Sequence, residues 1–132
     1  MKEFHFPVRV YFSDTDAEGI VYHTRYLDFA EHGRTEMLRE ALPGMSQREL
    51  QEKGVIFVVR SISIDYRMPG RLDDMLDVVT TVEASGHFSA TFTQDIKRGE
   101  DLLCSLTVKA ASVSTETRRP VPLPKEIMDA LL

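Results

Sequence analysis

Two hydrophobic periods occupy separate parts of this chain, and their segregation is the strongest limit on its fold. From about Tyr22 or Thr24 to Leu42 apolar residues recur at helical spacing. Tyr26, Ala30, Met37, Leu38 and Ala41 fall near one stripe, while Asp28, Glu31, Arg34, Arg39 and Glu40 lie off it. Thr24 is placed to cap that helix and Pro43-Gly44 to stop it, with a short second helix over Ser46 to Lys53 ending at Gly54. From Val55 onward the period becomes two. Strands are predicted over Val55 to Tyr66, Met75 to Ala84, His87 to Lys97 and Leu102 to Ser114, and an earlier one over Phe4 to Phe12. The links Ser85-Gly86 and Arg98-Gly99-Glu100-Asp101 are too short for a parallel crossover, so the strands pair antiparallel. The tail is punctuated by proline and closes with a short helix after Pro124.

This order predicts an α+β domain: one antiparallel sheet and one major helix, with residues 1–132 forming a single unit. Gly33 interrupts the long helix at a cost of about 1 kcal/mol relative to alanine, and close approach of the helix backbone to a sheet is a use for it. One helix covers only part of such a sheet, so pairing between subunits is expected to cover the rest.

Composition removes several functions. A net charge of −5 is wrong for a general nucleic-acid binder. No apolar stretch reaches the roughly 20 residues that span a bilayer, and Met1 to His5 lacks the apolar run of a signal peptide. The lone Cys104 cannot form an internal disulfide, which fits the cytoplasm, and its apolar strand context predicts a buried, inert thiol. His5, His23, His32 and His87 lack metal-site spacing, and neither a nucleophile elbow nor a phosphate loop is present.

The most unusual segment is Asp14-Thr15-Asp16-Ala17-Glu18-Gly19-Ile20-Val21-Tyr22-His23, between the first strand and the long helix. Helix starts offer free N–H groups and a partial positive charge that polarise a bound carbonyl. A neighbouring carboxylate can attack that carbonyl or activate water against it. Capping and turning the chain is the plainer role for these acidic residues. A calcium loop is excluded, because the twelfth position from Asp14 is Arg25 rather than a bidentate glutamate.

The run Val10 to His23, followed by Tyr26-Leu27 and Glu31-His32-Gly33-Arg34-Thr35-Glu36-Met37-Leu38, resembles the 4-hydroxybenzoyl-CoA thioesterase family. Within it the likeness is greatest to the acyl-CoA thioesterases associated with the bacterial Tol–Pal system. Ile64 to Leu76 is similar to that family's Y-x-x-P-x-x-x-D-D-x-L connection, and the resemblance covers essentially the whole chain. It implies a hotdog fold, a curved antiparallel sheet of about five strands wrapped around one long central helix. Also implied are a homodimer or homotetramer, an active site at the dimer interface, and no cofactor beyond the CoA of the substrate. By the same resemblance Asp16 is the catalytic carboxylate. The His23 amide holds the carbonyl, its side chain assisting; Gly19, Val21 and Tyr22 shape the substrate site. Arg118 and Arg119, near the end of the last strand, are the candidates to bind CoA phosphates; the turn Ser85-Gly86-His87 departs from the basic cluster of the aromatic-acyl enzymes.

Thioester hydrolysis of an acyl-CoA is therefore the leading expectation. A non-catalytic module binding acyl-CoA or acyl carrier protein is the alternative, disfavoured because a binder has no need of Asp16. A hotdog dehydratase fits the motif less well.

Overall fold

A computed structural model describes residues 2–132, so Met1, part of the segment read for a leader, lies outside the described residues. The chain forms β1 (Phe4–Arg9), a 3-10 turn (Phe12–Asp14), α1 (Arg25–Ala41), α2 (Gln47–Glu52), β2 (Val55–Tyr66), β3 (Met75–Ala84), β4 (Ser89–Arg98), β5 (Asp101–Ser114) and α3 (Lys125–Leu131). The five strands make one antiparallel sheet in the order β1-β3-β4-β5-β2. Strands β3, β4 and β5 alternate as period-two patterning requires: Leu76, Val78 and Val82, then Ala90, Phe92 and Ile96, then Leu106, Val108 and Ala110 turn into the core.

One expectation needs correction. The first strand ends at Arg9, short of the predicted Phe12, because the chain tightens into the 3-10 turn and leaves Phe12 81% exposed. Strand β2 does not neighbour β3: it pairs with β5 at the far edge, and residues 67–74 cross the end of the sheet to reach β3. That crossover is tied down by Leu103, whose carbonyl accepts the N–H groups of Arg67 and Met68 at 2.8 and 3.1 Å. Asp74 anchors its other end, accepting the Arg71 N–H at 2.8 Å and Arg98 Nη1 at 2.9 Å. Partial burial works to raise the Asp74 pKa, yet these hydrogen bonds and the Arg98 charge hold it below the usual carboxylate value.

The register of β2 slips between Val59 and Ser61. A bulge there inserts one residue, so Phe57 and Val59 before it and Ile62, Ile64 and Tyr66 after it all lie opposite the core-facing residues of β5. Without the bulge, Ser61, Ser63 and Asp65 would turn inward instead.

Helix α1 packs over β1, β3 and β4, the half of the sheet away from β2. Its buried residues are Tyr26, Phe29, Ala30, Gly33 and Met37; Phe29 and Gly33 join the predicted stripe, while Leu38 and Ala41 are only partly buried. Gly33 has the role its position suggested. A Cβ there would lie 2.8 Å from Val78 Cγ1 and 3.4 Å from Val78 Cβ, and a β-branched side chain rooted in a strand cannot swing away. Gly33→Ala gains up to about 1 kcal/mol of helix propensity but forces an overpacking cost of about 1–3 kcal/mol. Its melting temperature is expected to fall below wild type; a rise would show that the helix is free to lift off the sheet.

Candidate active site

The acidic loop is built from its own hydrogen bonds. Thr15 pairs with Val21 across its neck, and the Asp16 N–H donates to the Ile20 carbonyl at 3.0 Å. Between them Asp16 to Gly19 forms a β-turn in which the Gly19 N–H donates to the Asp16 carbonyl at 3.0 Å. Gly19 has φ +78° with open space around it, so glycine serves its backbone conformation there and not a tight contact. The Glu18 N–H donates to Asp16 Oδ1 at 2.9 Å, which fixes the carboxylate. Oδ2 has no hydrogen-bond partner among the described residues. Asp14 is occupied otherwise: its carboxylate accepts the Tyr11 N–H at 2.9 Å, and its carbonyl accepts the Tyr22 N–H at 2.8 Å.

Helix α1 opens immediately after this loop. Thr24 occupies the N-cap, but it has helical dihedrals and makes no side-chain cap. Among the described residues neither the His23 nor the Thr24 N–H has an acceptor, so donors and the positive end of the helix dipole face outward together. The His23 carbonyl is held from the other side by the Tyr66 hydroxyl, which donates to it at 2.9 Å. Tyr26 accepts the Gly70 N–H at 2.9 Å, and the Gly70 carbonyl accepts the Val21 N–H at 2.9 Å. Burial raises the pKa of both tyrosines, so their hydroxyls stay protonated through neutral pH.

A cleft of about 260 Å³ lies here, walled by Ile20, Val21, His23, Tyr66, Met68 and Pro69 among others. Val21 and His23 thus share one cavity, with the exposed Tyr22 ring edge-on to His23 at 4.8 Å. Asp16 stands on the loop that supplies the cleft wall, but its carboxylate does not line the cleft of a single protomer. Arg118 and Arg119 lie elsewhere. They follow Ser114, while the cleft adjoins Cys104, ten residues back along β5. At about 3.3 Å per residue that is roughly 30 Å away, so within one protomer they cannot share a ligand with His23. Cys104 is fully buried, its thiol pushed up to about 12 by burial. Met75 is exposed outside the cleft, and Phe57 lines a different cavity.

Residues 10–131 match the family described as the thioesterase-like superfamily. The chain belongs to that superfamily. It is 45% identical over 127 residues to the acyl-CoA thioesterase YbgC of Haemophilus influenzae, covering 96% of this chain and 93% of that protein. A probable thioesterase from Bartonella henselae has 35% identity and a TM-score of 0.86 over 93% of this chain and 100% of its own. A 1,4-dihydroxy-2-naphthoyl-CoA thioesterase from Synechocystis superposes with a TM-score of 0.90 over 98% and 96% of the two chains; at 22% identity it speaks for the fold. The expected α+β hotdog class agrees with these neighbours in its five-stranded antiparallel sheet with helices.

Two site residues of this thioesterase-like chain escaped the sequence. Tyr66 and Gly70 were legible as parts of a connection, but nothing in their spacing pointed to the His23 carbonyl or the Val21 amide. By holding the first turn of α1, Tyr66 is a positioning residue for the free amides. Tyr66→Phe keeps the ring and removes the hydroxyl; kcat for a thioester is expected to drop about tenfold, in line with losing one hydrogen bond, with KM nearly unchanged. A raised KM with kcat unchanged would assign Tyr66 to binding instead.

Proposed function

We propose that this chain hydrolyses the thioester of an acyl-CoA to a free acid and CoA, as one domain over residues 1–132 that needs no metal or organic cofactor. The observation that carries the reading is local: His23, whose N–H has no acceptor among the described residues, lines the cleft beside the Asp16 loop, on a chain of thioesterase kinship. Donors fixed before the reaction stabilise the charge that develops on a carbonyl oxygen without reorganising.

In this mechanism the thioester oxygen accepts from the His23 N–H. Asp16, with Oδ2 unengaged, then acts in one of two ways. As nucleophile it bonds to the carbonyl carbon, the C–S bond breaks, CoA leaves as the thiolate, and water hydrolyses the mixed anhydride to return Asp16. As general base it takes a proton from water, whose oxygen attacks the same carbon; the C–S bond then breaks and CoA leaves as the thiol, taking up that proton. Gly19 permits the turn that presents Asp16; Val21 and Tyr22 flank the acyl group, and the His23 ring is assigned an assisting role. Asp16→Asn still accepts the Glu18 N–H, so the loop is retained. Thiol release is expected to fall about 10²- to 10⁴-fold with an unchanged melting temperature; wild-type turnover in this variant would remove Asp16 from the mechanism.

The working unit is proposed as a homodimer, assembling further to a tetramer, in the cytoplasm, with acyl-CoA as substrate and acyl carrier protein as the alternative acyl donor. The twelve-residue edge strand β2 supports this, because its core-face stripe leaves Val59, Ile62 and Tyr66 at 44%, 41% and 45% exposure. An edge so long and apolar calls for a partner strand. Antiparallel pairing of two β2 strands wraps the joint sheet around both long helices, which is the central-helix form of the fold. It also sets the Arg118–Arg119 end of one protomer beside the Tyr66 end of the other, where both arginines can meet CoA phosphates. Ile62→Arg is expected to shift the mass in light scattering from dimer or tetramer to monomer and to lower thiol release with it. An unchanged oligomer would exclude β2 as the interface.

A further inference from the structure

A second cavity, of about 130 Å³, lies further along the same face, between α1, β2 and α3. Its floor is apolar, with Phe57, Val59, Phe92 and Leu131, but Arg34 reaches into its wall. Arg34 Nη1 donates to Gln94 Oε1 at 2.9 Å. Gln94, wholly buried, cannot turn: its amide nitrogen donates to the Ala30 carbonyl at 2.9 Å and to Thr80 Oγ1 at 3.0 Å. The guanidinium is therefore held in one orientation by the helix backbone and by β3. No carboxylate lies within 4.0 Å of Arg34 among the described residues. Glu31, one turn away, accepts instead from the Thr35 hydroxyl at 3.2 Å and approaches His32 at 3.6 Å, more than half exposed. Burial lowers the Arg34 pKa, an effect that the Glu31 charge only partly opposes. A partly buried cation oriented by a locked amide, with donors left free of protein acceptors on a cavity wall it shares with Glu31, is placed to receive an anionic group.

We propose that this cavity recognises a carboxylate at the distal end of the acyl group, with Arg34 as its binding residue. The proposal rests on the thioesterase reading above. The stripe Phe57, Val59, Ile62, Ile64 and Tyr66 joins the cavity to the cleft along one face of β2. In the antiparallel dimer the half of β2 that carries Phe57 and Val59 in one protomer lies against the half that carries Ile64 and Tyr66 in the other, so the cavity of one adjoins the cleft of its partner. A void of this size takes a group about as large as benzene. An arginine fork suits a carboxylate, which accepts two parallel N–H bonds.

The test compares succinyl-, glutaryl-, adipyl- and suberyl-CoA with butyryl-, valeryl-, hexanoyl- and octanoyl-CoA, each pair matched in length. Wild type is expected to favour the carboxylate-ended member by about 10- to 100-fold in kcat/KM at its best length, the scale of a hydrogen bond to a charged group. In Arg34→Met that ratio is expected to collapse toward one, and in Arg34→Lys to recover in part. A wild-type enzyme indifferent to the end group, or a variant that slows both members equally, overturns the site and leaves the hydrolase standing. Calorimetric titration of adipyl-CoA and hexanoyl-CoA onto Asp16→Asn gives the same comparison without turnover. Preferential adipyl-CoA binding by a wild type that hydrolyses nothing would keep the site and remove the thioesterase reading.

Discussion

Gly70 is where three segments of this protein meet, and the geometry of the cleft depends on that contact. A Cβ at this position would stand 3.0 Å from Val21 Cγ2, 3.3 Å from the Tyr26 hydroxyl and 3.4 Å from Leu103 Cδ1. A side chain there would oblige Val21, Tyr26 or Leu103 to give by a few tenths of an ångström. Its N–H meets the first turn of α1 through Tyr26, and its carbonyl meets the acidic loop through Val21. The loop and the helix start are thus positioned against each other by the crossover between β2 and β3, a segment distant from both in sequence.

That arrangement explains how an irregular stretch is kept in register. The acidic loop buries little apolar surface of its own; Val21 is its one deeply buried residue. Its shape comes from backbone hydrogen bonds, from the Asp14 and Asp16 carboxylates turned onto backbone N–H groups, and from the Ile20–Arg71 bridge on its outer side. On so exposed a loop each hydrogen bond contributes about 0.5–1.5 kcal/mol, more where the acceptor is a carboxylate, and several together hold its shape. A helix start with unpaired amides is affordable beside such a frame.

The bulge in β2 organises the other half of the molecule. By flipping side-chain parity once, it keeps an unbroken apolar stripe on the face shared with α1, although α1 itself lies over the opposite half of the sheet. A trough results, open along one edge, joining the cleft to the cavity that holds Arg34. The uncovered stripe and the unpaired strand edge are one feature seen from two directions, and the proposed second copy of the chain would cover both.

Much of this was readable before any coordinates. Helical spacing between Tyr26 and Met37, period-two runs in β3, β4 and β5, and cap and turn residues at Ser46, Gly54 and Gly99 specify local structure, because each depends on neighbours a few residues away. Gly33 disclosed the close approach of helix to sheet, and the acidic loop before α1 disclosed the free amides. Tertiary structure alone decided the rest. The placement of β2 beside β5, the Tyr66 and Gly70 contacts with the loop, the separation of Arg118 and Arg119 from the cleft, and the unpaired Arg34 all join residues far apart in the chain. Sequence periodicity records which way a side chain faces; it does not record which distant backbone it will meet, because that follows from how the whole sheet closes.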